Sequence, residues 1–163
     1  MNTQSRLEGK RILVVDDEED VLETLVALLD ICRVTTATTF EEAEKLLKSR
    51  PFDMTILDIM GVKGYELLDI AKEKGVTAVM LTAHALTVND TVKSFKKGAA
   101  FYVPKEKMAN LPVYLEDVFE GIKKGKRFWW RWLDRMGPYY DERFGDEWRD
   151  KNKKFLEGLK YRV

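Results

Sequence analysis

The stretch Ile12-Leu13-Val14-Val15-Asp16-Asp17 decides the fold of this chain. Its four consecutive apolar residues predict a short strand that is buried on both faces, as in a parallel sheet. The two aspartates end the strand, and from Val21 onward apolar residues recur at helical spacing. The segment therefore predicts a strand and a helix joined by a turn that carries two carboxylates.

The same pattern of a strand followed by a helix occurs five times along the chain. The predicted strands cover residues 12–15, 33–38, 52–57, 76–81 and 99–103. Alternation of this kind gives a parallel sheet with helices on both faces and right-handed crossovers. We therefore expect a doubly wound α/β fold with five parallel strands.

Polar residues stand at the carboxyl ends of four predicted strands, where the sites of open α/β sheets lie. They are Asp16 with Asp17, Asp58, Thr82 and Lys105. Three converging carboxylates repel one another unless a cation lies among them, and all-oxygen ligands suit Mg²⁺. A carboxylate can also attack a phosphoryl group, whose oxygens then need a metal ion, an ammonium or a hydroxyl as partners. Each residue alone could be a helix cap or a solvated charge, but together they supply this set.

The fragments ILVVDDEED, TILDIM, VMLTAH and GAAFYVPK occur in this order and contain those five residues. In this respect the sequence resembles the receiver domains of bacterial two-component response regulators, and in outline the chemotaxis regulator, over about residues 10–125. The resemblance implies a flavodoxin-like (βα)5 fold. It also implies that Asp58 accepts a phosphoryl group from a histidine kinase or a phosphotransfer protein.

The resemblance further implies a magnesium site. Asp17 would bind Mg²⁺ directly and Asp16 largely through water, while the phosphoryl acceptor Asp58 and the backbone carbonyl of Met60 would complete the ligands.

The remaining roles that the resemblance implies concern the response to phosphorylation. Lys105 would pair with a phosphoryl oxygen, and Thr82 would move toward it. Tyr102 occupies the aromatic switch position three residues before the lysine, and its ring would turn inward as Thr82 shifts. His84 would lie at the rim of the site and affect the access of water.

Two features depart from the family pattern. The segment from Asp58 to Gly64 is about two residues shorter than usual and lacks a proline, so the loop over the site should differ. The proline that normally follows the lysine is replaced by Glu106, while Pro104 precedes Lys105. The usual cis Lys–Pro bond therefore cannot form.

The composition changes near residue 121. The chain has 28 basic and 28 acidic residues, but the part up to Glu120 carries a net charge of −6 and the remainder +6. We therefore predict an N-terminal arm at 1–9, a receiver domain at 10–125 and a helical, Trp-rich, basic extension at 126–163.

All four tryptophans lie in that extension. Trp129, Trp132 and Trp148 fall on the apolar stripes of two predicted helices, with a break expected at Gly137-Pro138. These stripes must be buried, either by packing on this chain or in a homodimer, or by docking a partner protein. Nucleic acid or a membrane surface is a weaker alternative, because acidic residues alternate with the basic ones.

The function predicted from the sequence is a Mg²⁺-dependent phosphoryl-accepting switch that acts through protein contacts with a downstream target, without a DNA-binding output domain. It would be a signalling protein rather than an enzyme, although it would catalyse its own phosphorylation and dephosphorylation. A pseudo-receiver that acts through its extension and, less favoured, a Mg²⁺-dependent phosphohydrolase remain as alternatives. One cysteine and no apolar run of membrane length favour the cytoplasm.

Overall fold

The computed structural model describes residues 5–83, 87–124 and 129–161, and it contains five strands and eight α-helices within those ranges. The elements are, in chain order, β1 (Arg11–Val15), α1 (Glu19–Leu28), β2 (Arg33–Ala37), α2 (Phe40–Ser49), β3 (Met54–Asp58), α3 (Gly64–Glu73), β4 (Thr77–Thr82), α4 (Val88–Lys96), β5 (Phe101–Pro104), a 3₁₀ helix (Lys105–Asn110), α5 (Leu111–Lys123), α6 (Trp129–Phe144), α7 (Glu147–Lys151) and α8 (Lys153–Tyr161). The predicted order of strands and helices is thereby confirmed. No helix among these residues is both long and apolar enough to cross a bilayer.

The five strands form one parallel sheet in the order β2-β1-β3-β4-β5. The interior strands are buried on both faces, and β3 is buried at every position. Its one internal polar side chain, Thr55, donates a hydrogen bond to the carbonyl of Leu13 at 3.0 Å. This sheet confirms the doubly wound α/β class that the apolar runs predicted.

The register of the sheet brings the strand ends to one edge. Val15 pairs with Leu57, and Asp58 pairs with Leu81 on the next strand. Thr82 then pairs with Pro104, which places Lys105 at the same edge. Residues that are far apart in the sequence therefore meet because the parallel strands end together.

The sequence predicts that Asn110-Leu111-Pro112 opens a fifth helix, whose apolar stripe would contain Val113, Leu115, Val118, Phe119 and Ile122. The helix does begin at Leu111, but its buried face matches that stripe only in part. Val113 and Ile122, which were expected on that stripe, are 44% and 51% exposed. Leu115 and Phe119 of the predicted stripe are buried, together with Leu111 and Tyr114, which lie outside it. The buried face is rotated because the aromatic ring of Tyr114 stacks on Phe101 of β5, with ring centroids 5.3 Å apart.

The chain divides into two compact units, and the division lies between Glu116 and Asp117, inside α5. This is earlier in the chain than the composition change from which a boundary at 125–126 was predicted. The first unit contains the sheet, and the second contains the end of α5 together with α6, α7 and α8.

The prediction of a helix break at Gly137-Pro138 is wrong, because α6 continues through both residues. Proline in a helix interior removes one backbone hydrogen bond, but burial of Trp132, Met136 and Tyr140 on one face across it offsets that loss. Close packing explains the glycine at position 137. A Cβ at this position would lie 2.6 Å from Nη2 of Arg149.

The second unit has an aromatic core of its own. Trp132 and Tyr140 are fully buried, with ring centroids 4.9 Å apart in an edge-to-face arrangement. Trp148 of α7 lies 5.1 Å from Tyr140 and 6.5 Å from Trp132. Trp132 and Trp148, which the sequence places on apolar stripes, therefore cover each other and are also covered by Tyr140. The side chain of Trp129 lies outside the described part of the chain.

Arginine–aspartate pairs fix the helices around this core. Asp117 is 5% exposed and accepts hydrogen bonds from Nη1 of Arg131 at 3.1 Å and from Nε of Arg135 at 2.9 Å. Asp141 accepts two from Arg149, at 2.8 and 2.9 Å, and one from the indole of Trp148 at 2.8 Å. These bonds lower the pKa of Asp141 below its usual range, the arginine making the larger contribution. The acidic residues of this region therefore have structural roles.

We predict that Trp132→Ala lowers the free energy of unfolding of the second unit by about 3–5 kcal/mol, because it removes a fully buried indole and leaves a cavity. All tryptophans follow residue 121, so the fluorescence of the remaining three reports this unit in a urea titration. The control Ile122→Ala truncates a half-exposed side chain of the same unit and should cost less than about 1 kcal/mol. Equal losses in the two variants would contradict an internal aromatic core.

Candidate functional site

Four side chains are placed together at the carboxyl edge of the sheet. Asp16 follows β1, Asp58 ends β3, Thr82 ends β4, and Lys105 follows β5. Asp16 is fully buried, and Asp58 and Thr82 are 5% and 1% exposed. Buried carboxylates are costly unless they are paired, so the neighbours of Asp16 and Asp58 decide what the site can do.

The ammonium of Lys105 lies among three carboxylates. Its Nζ is 2.9 Å from Oδ2 of Asp16, 3.0 Å from Oε1 of Glu18 and 3.5 Å from Oδ1 of Asp58. The contact with Asp16 is a close ion pair, and Lys105 is the cation beside that buried oxygen. The other oxygen of Asp16 accepts the backbone N–H of Glu18 at 2.9 Å.

The oxygens of three consecutive residues form a group that fits a hard cation. Carboxylate oxygens of Asp16, Asp17 and Glu18 all lie within 4.8 Å of one another. Asp16 is buried, whereas Asp17 and Glu18 are exposed to solvent. Because Glu18 is held by Lys105, Asp16 and Asp17 are the two carboxylates of this group that suit Mg²⁺, which binds carboxylates and keeps several waters. Asp58 and the backbone carbonyl of Met60 would be the further ligands that the family resemblance implies.

The short loop after β3 closes tightly on the carboxylates. The backbone N–H of Gly61 donates a hydrogen bond to Oδ2 of Asp58 at 3.0 Å. A Cβ on Gly61 would lie 2.5 Å from that oxygen and still closer to Oδ1 of Asp17. A larger residue at this position would therefore displace one or both of these aspartates.

The environment of the site disfavours the ionised form of its two buried aspartates. Burial, and then the charge of Asp16, raise the pKa of Asp58 above its ordinary value, with Lys105 and the N–H of Gly61 opposing them in part. Burial also raises the pKa of Asp16. The pKa of Lys105 would fall through burial, but its carboxylate partners outweigh that effect and raise it. The site is therefore short of positive charge.

The other predicted site residues are placed as follows. Tyr102 is fully buried on β5, where it pairs with Met80 of β4. Met60 lies on the loop after β3, and its side chain is 65% exposed. His84 lies outside the described residues.

Glu18 was missed as a site residue by sequence reasoning. It stands in the run ILVVDDEED directly after the aspartate pair, so proximity in the chain was a usable signal. Its contact with a lysine 87 positions away is visible only in the folded structure.

A five-stranded parallel sheet with buried aspartates and one lysine at its carboxyl edge is the arrangement of response-regulator receiver domains. The sequence matches the family described as the response regulator receiver domain over residues 12–115. The chain belongs to this family, whose members are signalling proteins of two-component systems and not classical enzymes.

Comparisons with individual proteins agree with this family. The probable transcriptional regulator ycf27 of Cyanidium caldarium is 38% identical over 112 residues, which is 61% of this chain and 44% of that protein. The CheY-like receiver domain protein of Methanospirillum hungatei has a similar structure, with a TM-score of 0.59 at 26% identity over 69% of this chain and 98% of that one.

A third similar protein is the BeF3-activated receiver domain of DrrB, a Thermotoga maritima protein. Its TM-score is 0.59 at 27% identity, over 68% of this chain and 97% of that one. The present chain spans less than half the length of the curated relative ycf27.

We predict that Asp58→Asn makes the metal-free protein more stable at neutral pH, within the range of about 0.5–3 kcal/mol typical of single substitutions. The folded state raises the pKa of Asp58, so it binds a proton more tightly than the unfolded chain does. Stability is therefore lost as the pH rises from the ordinary carboxyl pKa through the raised one, and asparagine removes this loss. Urea unfolding followed by circular dichroism should show the gain at neutral pH and a smaller gain at about pH 4.

Asp53→Asn is the matched control for this substitution. Asp53 is paired with Arg11 at 3.2 Å, and the hydrogen bonds from that arginine lower its pKa. The same chemical change should therefore reduce stability at neutral pH or leave it unchanged. If both variants were more stable than the wild type, the gain in stability of Asp58→Asn would not come from removing negative charge at the strand ends.

We also predict that Gly61→Ala weakens Mg²⁺ binding by about tenfold or more while the protein stays folded, because the added methyl group displaces Asp17 and Asp58. Calorimetric titration with MgCl₂ measures this effect. Gly158→Ala is the control, since a Cβ there meets nothing within 4 Å. An unchanged Mg²⁺ affinity in Gly61→Ala would place the cation away from these two aspartates.

Proposed function

We propose that this chain is a phosphorylation-controlled switch in which Asp58 accepts a phosphoryl group from a histidine kinase or a phosphotransfer protein. The observation that carries the proposal is the position of Lys105, whose ammonium faces Asp58 and Asp16 at the edge of the sheet. The site has acceptor, cation and candidate metal ligands within one cluster. Membership of the receiver-domain family leads us to expect the same chemistry.

In the proposed transfer, a carboxylate oxygen of Asp58 attacks the phosphorus of the donor. The bond from phosphorus to the donor's histidine nitrogen breaks, and its electron pair stays on that nitrogen. The product is an acyl phosphate, which water later hydrolyses to regenerate the carboxylate. Asp16 and Asp17, with Asp58 and the carbonyl of Met60, would hold Mg²⁺, which when bound offsets the charge of the phosphoryl oxygens.

The chain's own groups would stabilise and report this state. Lys105 would pair with one phosphoryl oxygen, and the hydroxyl of Thr82 would approach another. Thr82 ends β4 beside β5, which carries the buried Tyr102. A shift of Thr82 would therefore change the packing around the Tyr102 ring. We propose that the rearranged surface is recognised by a downstream protein.

The test is an intact-mass measurement after incubation with Mg²⁺ and acetyl phosphate. We expect the wild-type protein to gain one phosphoryl group and Asp58→Asn to gain none. Asp53→Asn carries the same chemical change at an exposed ion pair and should be labelled like the wild type. Lys105→Ala should keep Mg²⁺ binding but be labelled at least tenfold more slowly, because the phosphoryl oxygens lose a cation.

Two results would contradict the proposal. Full labelling of Asp58→Asn would mean that another residue is the acceptor. A folded wild-type protein that gains no phosphoryl group and binds no beryllofluoride would instead be a pseudo-receiver.

A further inference from the structure

Glu18 is in contact with the site but has no role in the proposed transfer. Its Oε1 lies 3.0 Å from Nζ of Lys105, and its side chain is 53% exposed whereas that of Lys105 is 11% exposed. Glu18 occupies the N-cap position of α1, but its side chain makes no capping hydrogen bond. The start of the helix therefore does not depend on this carboxylate.

The lysine ammonium lies closer to two other carboxylates than to the acceptor. Its nitrogen is 2.9 Å from Asp16 and 3.0 Å from Glu18, but 3.5 Å from Asp58. A phosphoryl oxygen on Asp58 would draw the ammonium toward itself, so its contact with Asp16 or with Glu18 would have to weaken.

Glu18 is the partner that can be released at the lowest cost. Asp16 is fully buried, and loss of its cation would leave a charge without solvent. Glu18 is more than half exposed, so water replaces the ammonium when the contact breaks. A cation engaged by Asp16 would leave Glu18 as the main competitor for Lys105.

We propose that Glu18 is a positioning residue that holds Lys105 in the unphosphorylated chain and competes with the phosphoryl group for its ammonium. Glu18 thereby lowers the affinity of the site for a phosphoryl group. The inference rests on the proposed function, since it requires Asp58 to be the acceptor.

The test uses the full chain and the variant Glu18→Asp, which keeps the charge but shortens the side chain by about 1.5 Å. Beryllofluoride at saturating Mg²⁺ serves as the phosphoryl analogue, and calorimetry measures its Kd. Ion pairs with an exposed partner are worth about 0.2–1 kcal/mol, so the variant should bind beryllofluoride about 1.4- to fivefold more tightly. Glu19→Asp, the same change one residue along α1, should bind it like the wild type.

Titration with Mg²⁺ alone separates this role from metal ligation. Glu18→Asp should keep the wild-type Kd for Mg²⁺, and a weaker Kd would make Glu18 a metal ligand and overturn the proposal. An unchanged beryllofluoride Kd in Glu18→Asp would also overturn it.

Glu18→Gln is the second variant and should likewise bind beryllofluoride more tightly. If Glu18→Gln alone did so, net charge and not contact with Lys105 would be the cause, and the proposal would be wrong. Failure of the wild-type protein to bind beryllofluoride would overturn the proposed function itself, which distinguishes that failure from a failure of the role of Glu18.

Discussion

The ion pair between Lys105 and Asp16 is the interaction on which the site depends. Asp16 is fully buried, and the charge of Asp58 beside it has the same sign. An uncompensated buried carboxylate costs several kcal/mol, so the ammonium at 2.9 Å is what makes the metal-free arrangement tolerable. One lysine is insufficient for four neighbouring carboxylates, and a bound cation would offset this deficit of positive charge.

The sheet imposes this cluster on the chain. Because the strands are parallel and in register, the residues that follow β1, β3, β4 and β5 meet at one edge whatever their chemistry. This constraint explains why the fold, and the meeting of these residues at one edge, could be predicted from the sequence. Short apolar or β-branched runs predicted the strands, and the polar residues at their ends predicted that Asp16, Asp58, Thr82 and Lys105 lie at one edge.

The features that sequence reasoning missed depend on three-dimensional contacts. Glu18 was one of several acidic residues in a run, and nothing in its spacing indicated that it reaches Lys105. The passage of α6 through Pro138 depends on burial across the proline, which outweighs a local rule about helix breaking. The buried face of α5 was displaced for a similar reason, since Tyr114 follows the ring of Phe101 and not the ideal apolar stripe.

The two units differ in how well their buried and half-buried carboxylates are paired with cations. In the second unit, Asp117 and Asp141 are each matched by arginines at hydrogen-bond distance, so its positive net charge is partly used to hold its own helices together. In the first unit, carboxylates are concentrated around Lys105, which is the one lysine that pairs with them among the described residues, and burial raises the pKa of Asp16 and Asp58. Matched charges stabilise a fold without needing a ligand, whereas unmatched buried charges persist only where the surrounding core compensates for them. The unbalanced edge of the sheet is therefore where a cation and a phosphoryl group would change the protein most, and the aromatic extension has the characteristics of a structural module.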